Sequence, residues 1–156
     1  MPAKPLRLPA LDPATVEAVA KTTYPEPYRK LVAGRTKRRL GDAVGLTDFG
    51  VNLTELPPGA WSALRHTHAR DDEFVYVLDG TVVLITDAGE QTLGPGMVAG
   101  FPKGKTDAHH LVNKSAKPAR YLEIGTRDEQ DTVVYPEADL EVRPGRIFVR
   151  KDGTPY

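Results

Sequence analysis

Apolar and polar residues alternate with a period of two through the middle of the chain, and helical periodicity is scarce. Residues 49–56, FGVNLTEL, set Phe49, Val51 and Leu53 on one face against Asn52 and Thr54 on the other, the pattern of a strand. Residues 74–78 and 82–85 are apolar on both faces, as strands covered on both sides are, and the Asp79-Gly80 pair between them predicts a hairpin turn. Beyond them, 87–89 (DAG) predicts a turn, 90–93 a short strand, and 94–96 (GPG) a tight turn. Residues 97–101 then lead into a corner at Pro102 to Gly104, and 120–124 form another strand. Residues 132–135 and 146–150 read as edge strands that wrap the body or pack at a subunit contact, and 151–156 as a turn.

Helix signals are confined to the N-terminal part. Asp12 caps a short helix with Pro13 at its first position, and 14–21 are mostly helix formers with Val16 and Val19 on one side. Residues 1–11, with three prolines, are expected to lie extended over the surface or a neighbouring subunit. The basic run GRTKRRLGD, 34–42, reads as a solvated loop or strand edge; an anion site is its functional alternative.

Composition narrows the picture. A chain of 156 residues suits a single domain, with a barrel core over about 45–126 and terminal extensions packed on it. Lys plus Arg and Asp plus Glu are 21 each, so nothing advertises nucleic acid or an anionic membrane as a partner. No apolar run resembles a signal peptide or a membrane span, and a cytoplasmic protein is expected. Without cysteine, any metal must sit on nitrogen and oxygen ligands. Fourteen glycines and fourteen prolines punctuate short apolar runs, the rhythm of an all-β barrel or sandwich.

All four histidines fall in two segments, 59–80 and 96–113. His66 and His68, two apart on a strand, offer both imidazoles to one point. Glu73 shares a strand face with Val75 and Val77, where a carboxylate is costly to bury unless it meets a cation. A histidine of the second segment, His109 or His110, completes a centre of three imidazoles and one carboxylate. Asp71 and Asp72 compete with Glu73 for the carboxylate position.

The two segments resemble the two signature motifs of the cupin superfamily. The first motif is a glycine, H-x-H, four residues, Glu, six residues and Gly, matched by Gly59, His66, His68, Glu73 and Gly80. The second is Gly, five residues, Pro-x-Gly, a His, three residues and Asn, matched by Gly96, Pro102, Gly104, His109 and Asn113. Two spacers are longer than the pattern: six residues instead of five before His66, and four instead of two before His109. Both fall in loops, where insertion is tolerated. The resemblance selects Glu73 over Asp71 and Asp72, and His109 over His110, which becomes a supporting or surface histidine. It implies a double-stranded β-helix, a jelly-roll barrel of two packed antiparallel sheets with one divalent ion (Zn, Fe, Mn, Ni or Co) in its wider end. The runs DEFVYVLDG, AGFPKG, HHLVN, YLEIGTR and KDGTPY further resemble a group of bacterial single-domain cupins, some labelled sugar-phosphate isomerase-like. A homodimer is expected from that resemblance and from apolar outer faces such as 82–85.

Around such a metal, Trp61, Arg65, Phe101, Lys103, Lys105 and Tyr121 are candidate substrate contacts, each with an ordinary role as core, strand-exterior or solvated residue. Tyr76 and Glu123 are candidate acid–base residues. The expected function is a metalloenzyme acting on a sugar, sugar phosphate or organic acid, as an isomerase or a dioxygenase. The alternative is a cupin that binds or senses a small ligand without turning it over. An acid–base residue facing the metal discriminates between them.

Overall fold

The computed structural model describes residues 6–156; of the extended arm expected over 1–11, residues 1–5 lie outside them. Twelve strands form among the described residues. They are β1 (Thr36–Arg39), β2 (Phe49–Leu56), β3 (Thr67–His68), β4 (Glu73–Asp79), β5 (Val82–Thr86) and β6 (Gly89–Leu93). The rest are β7 (Val98–Phe101), β8 (His110–Val112), β9 (Ala119–Thr126), β10 (Val133–Val134), β11 (Glu141–Arg143) and β12 (Ile147–Val149). A five-stranded sheet runs β1-β2-β9-β4-β7, a three-stranded sheet β6-β5-β8, and a four-stranded sheet β12-β11-β10-β3. All pairings are antiparallel.

The five-stranded and three-stranded sheets pack face to face. Leu56, Val75, Val77 and Tyr121 from the first meet Val82, Leu84, Leu93 and Leu111 from the second in one buried cluster. The first histidine segment joins the other two sheets: His66 exchanges both backbone hydrogen bonds with His109 beside β8, and two residues on His68 pairs with Val133 of β10. A second buried cluster of Tyr24, Val32, Leu64, Val133, Tyr135, Leu140 and Val142 packs beside the histidine segment, with Tyr135 5.8 Å from the His66 ring between centroids. The result is a closed jelly-roll barrel with a polar interior at one end.

Four expectations change on the structure. The inward face of β2 is Gly50, Asn52, Thr54 and Leu56; Phe49, Val51 and Leu53 face outward, because this end of the barrel encloses a polar cavity. Asp79-Gly80 is a crossover corner, since β4 pairs only with β7 and β9 while β5 pairs with β6 and β8. Gly80 is needed there: its φ is +72° and a Cβ would come within 2.5 Å of the Pro118 carbonyl oxygen. The N-terminal helix is reduced to a 3-10 turn over Pro13–Thr15, with Asp12 accepting from the Ala14 amide. β-branched Val16 and Val19 leave the helix, and Val19 instead exchanges backbone bonds with Lys37. Finally, β10 is an interior strand between β3 and β11, so the C-terminal part builds barrel wall instead of wrapping it. Among the described residues no helix is long and apolar enough to cross a membrane.

Candidate metal centre

Strand pairing brings the four predicted ligand residues together. Register places Glu73, the first residue of β4, opposite Phe101 and Gly125, pointing inward with Val75 and Val77. His66 and His109 are cross-strand partners, and His68 follows His66 by one pleat. The Nε2 atoms of His66, His68 and His109 lie 3.4, 3.5 and 2.9 Å from a single oxygen, Glu73 Oε2. His66, His68 and Glu73 form a group whose donor atoms are near enough to one another to hold one ion.

The other ring nitrogens decide the tautomers. His66 Nδ1 donates to the Leu64 carbonyl at 2.8 Å, and His68 Nδ1 to Asp131 Oδ2 at 2.6 Å. With Nδ1 protonated, each Nε2 presents a lone pair to the centre, as a metal-binding imidazole must. The ring of Phe101 stacks on His109 at 3.5 Å between centroids, fixing its plane. The charges agree. Burial disfavours an ionised Glu73, but the contacts with the His109 and His66 rings outweigh it and hold the carboxyl well below its usual range. Burial likewise opposes a charge on His66, and the Glu73 carboxylate overcomes it, raising His66; for His109 burial prevails and the ring is held lower. Three imidazoles and one carboxylate, with the far nitrogens of His66 and His68 held by fixed partners, fit a divalent cation bound by nitrogen and oxygen.

The remaining candidates separate cleanly. Glu123 lies in register opposite Val75 on the inward face and lines the same cavity as all four ligand residues. Its Oε1 accepts from Lys37 Nζ at 2.5 Å and Asn52 Nδ2 at 3.3 Å. Tyr76 points outward from β4 and is 40% exposed, so it has no access to the centre. Tyr121, fully buried, is inside the cavity wall; burial raises its pKa well above the usual value, and its hydroxyl has no hydrogen-bond partner. Phe101 borders the cavity on both sides, and Lys105 reaches its outer opening. Lys103 contributes its amide to Asp72 Oδ1 and does not line it. Arg65 is turned to the outside, paired with Asp87 and Glu137. Trp61 packs edge-on against His110 at 4.9 Å, away from the opening. His110 is buried, 6% exposed, with Nδ1 on the Ala63 carbonyl at 3.0 Å. Asp71 is spent on Thr126 Oγ1 and the Asp128 amide, and Asp72 on Lys103.

Three residues of the site are not singled out in the sequence reading. Asp131 orients His68 and also accepts from the Arg70 and Asp71 amides. The signal was present: Asp131, Val133 and Tyr135 alternate onto one buried face, and a carboxylate in that phase needs a partner. Arg35 and Lys37 belong to the basic run read as a solvated edge, yet both line the cavity.

The cupin-domain family model matches residues 52–125. No curated protein sequence matches the chain significantly. Among solved structures it is similar to a sugar phosphate isomerase from a cupin superfamily of Silicibacter pomeroyi, at 42% identity over 95% of this chain and 96% of that one, with a TM-score of 0.89. It is also similar to a putative sugar phosphate isomerase of Acidithiobacillus ferrooxidans, at 34% identity over 74% of each chain and a TM-score of 0.69. The polyketide cyclase RemF of Streptomyces resistomycificus, 23% identical over 76% of this chain and 79% of that one with a TM-score of 0.64, shares the fold. With both motifs on facing strands of a jelly-roll barrel, and a near full-length likeness to a protein of that superfamily, the chain belongs to the cupins.

Proposed function

We propose that this protein is a metal-dependent enzyme that isomerises a small hydroxy-carbonyl compound of the sugar or sugar-phosphate class. His66, His68, Glu73 and His109 hold a divalent ion, which supplies Lewis acidity toward a carbonyl or hydroxyl oxygen. Glu123 is the general base. Its carboxylate takes a proton from the hydroxyl-bearing carbon beside the carbonyl and returns it to the former carbonyl carbon, while the proton of that carbon's hydroxyl passes to the carbonyl oxygen, so that an aldose and a ketose interconvert with no net gain or loss of atoms. Lys37 and Asn52 hold that carboxylate on the cavity face and stabilise its ionised form. Phe101, Tyr121 and Tyr135 wall the cavity, about 240 Å3, and limit it to a small molecule.

The observation that carries this reading is the placement of Glu123: of the two acid–base candidates read from the sequence it shares a cavity with the ligand group, where Tyr76 turns away. The two solved structures most useful as guides are both called sugar phosphate isomerases, which supports the same class. The test is an aldose–ketose interconversion assay on a panel of sugars and sugar phosphates, with oxygen uptake followed in parallel. Turnover by the metal-loaded protein, lost in Glu123→Gln at unchanged metal content, is expected. Oxygen consumption would move the chemistry to a dioxygenase; ligand binding without turnover would make the protein a sensor.

A further inference from the structure

The basic run is an edge strand with one face turned into the barrel. In the register of β1 on β2, Lys37 stands opposite Thr54 and Arg39 opposite Asn52, both inward residues, while Thr36 and Arg38 alternate outward. Arg35, one pleat before Lys37, continues the inward series, and Arg35 and Lys37 line the same cavity as the four ligand residues. Arg35, Lys37 and Arg39 also line a wider mouth of about 570 Å3 together with Lys21, Arg127 and Arg146. The mouth is built to receive these side chains: Gly50 has none of its own, and the Arg127 guanidinium lies across it, 3.2 Å from where a Cβ would be.

The carboxylates at the mouth do not balance this charge. Asp42 pairs with Arg127 and, at 4.0 Å, with Arg39; Asp71 lies 3.9 Å from Arg146; Glu123 takes Lys37; and Glu73, the fourth carboxylate there, is held in the histidine cluster, so four carboxylates face six cations. Among the described residues no carboxylate pairs with Arg35 or Lys21. Arg35 is half-buried, and its one side-chain hydrogen bond is from Nη1 to the carbonyl of Ser62, which fixes the guanidinium but leaves its charge unmet. A guanidinium withdrawn from water without a counter-ion is unfavourable, and its planar fork matches an oxyanion.

We infer that Arg35, seconded by Lys37 and Lys21, is the seat of an oxyanion: the phosphate or carboxylate group of a small ligand whose other end reaches the histidine cluster. The inference rests on the metal-centre reading only for what that other end meets. An oxyanion in this seat competes with Glu123 for Lys37 Nζ, so its arrival frees the carboxylate proposed as the base.

The test is calorimetric titration of the metal-loaded protein at low ionic strength with inorganic phosphate and, separately, acetate. The proteins compared are the wild type, Arg35→Gln, Lys21→Gln and Arg120→Gln, whose arginine sits on β9 facing out beside Asp79. Circular dichroism and metal content are measured on the same samples. The wild type binds at least one of the two anions, Arg35→Gln weakens it tenfold or more, Lys21→Gln weakens it severalfold, and Arg120→Gln stays within twofold. Tighter phosphate assigns a phosphorylated ligand, tighter acetate a carboxylated one. No anion binding by the wild type overturns the inference, as does equal weakening by Arg120→Gln. Should Arg35→Gln not fold, an unchanged affinity in Lys21→Gln overturns it. Anion binding that depends on Arg35 in a protein that takes up no divalent metal would refute the metal centre and leave the oxyanion seat standing.

Discussion

His68 is held on one side by the ligand cluster and on the other by Asp131, and that second contact sets its tautomer. Replacing Asp131 by Asn keeps the shape but removes the acceptor charge; metal affinity, measured by chelator competition, is expected to fall about 10- to 100-fold. An unchanged affinity would show that His68 needs no orienting partner. The pH dependence of metal retention follows from the same cluster. His66, its pKa raised by Glu73, takes a proton at a higher pH than an ordinary histidine, while His109 and Glu73, both lowered, keep their lone pairs to more acidic solution. Protons and metal compete for His66 Nε2, so occupancy at limiting metal is full in alkaline solution and begins to fall above the ordinary histidine pKa of about 6.5. Occupancy unchanged at pH 4.5 would contradict histidine ligation.

Single strands carry their information unevenly. Part of the ligand set is legible in local spacing: H-x-H fixes two imidazoles to one strand face, and Glu73 leads a strand whose inward positions are Val75 and Val77, whereas the choice of His109 and of Glu73 over its acidic neighbours comes from the family resemblance. What the sequence leaves open is which face of a strand is interior. FGVNLTEL shows a clean alternation, but its polar phase is the inward one, because the cavity rewards Asn52 and Thr54 there and the outer face packs Val51 over the turn at Gly41. The same ambiguity hides β1, where solvated and cavity-facing lysines look alike in sequence. Asp79-Gly80 fails as a hairpin signal for a related reason: a left-handed glycine suits a crossover between sheets as well as a reversal. The second core also depends on long-range pairing, joining Tyr24 and Val32 to Val133, Tyr135 and Leu140. Leu140 is fully buried there, so Leu140→Ala is expected to lower stability by about 2–5 kcal/mol in denaturant unfolding. Because β10 pairs with β3, the same substitution should loosen metal retention, whereas a wrapping extension would leave it untouched.

On the scale of the whole molecule, one patch of exposed apolar residues spans neighbouring strands. Phe74, Tyr76 and Leu78 of β4, with Met97 and Val98 beside them, are each between 39% and 52% exposed. On β5, Val82 and Leu84 are buried in the barrel, while Val83 and Ile85 make up the outer face expected from the sequence to support a homodimer and are only partly exposed. The β4–β7 surface is the one a second copy would use; a dimer by light scattering at micromolar concentration is the expected result, and a monomer contradicts it.

The central claim concerns the ion that three imidazoles and a carboxylate are arranged to hold, and elemental analysis of the protein purified without added metal tests it most directly. The account predicts close to one divalent ion per chain, lost in His66→Ala and Glu73→Ala and retained in His110→Ala. A wild-type protein that carries no ion and takes up none, or a His110→Ala variant that loses it as completely as His66→Ala, would contradict it.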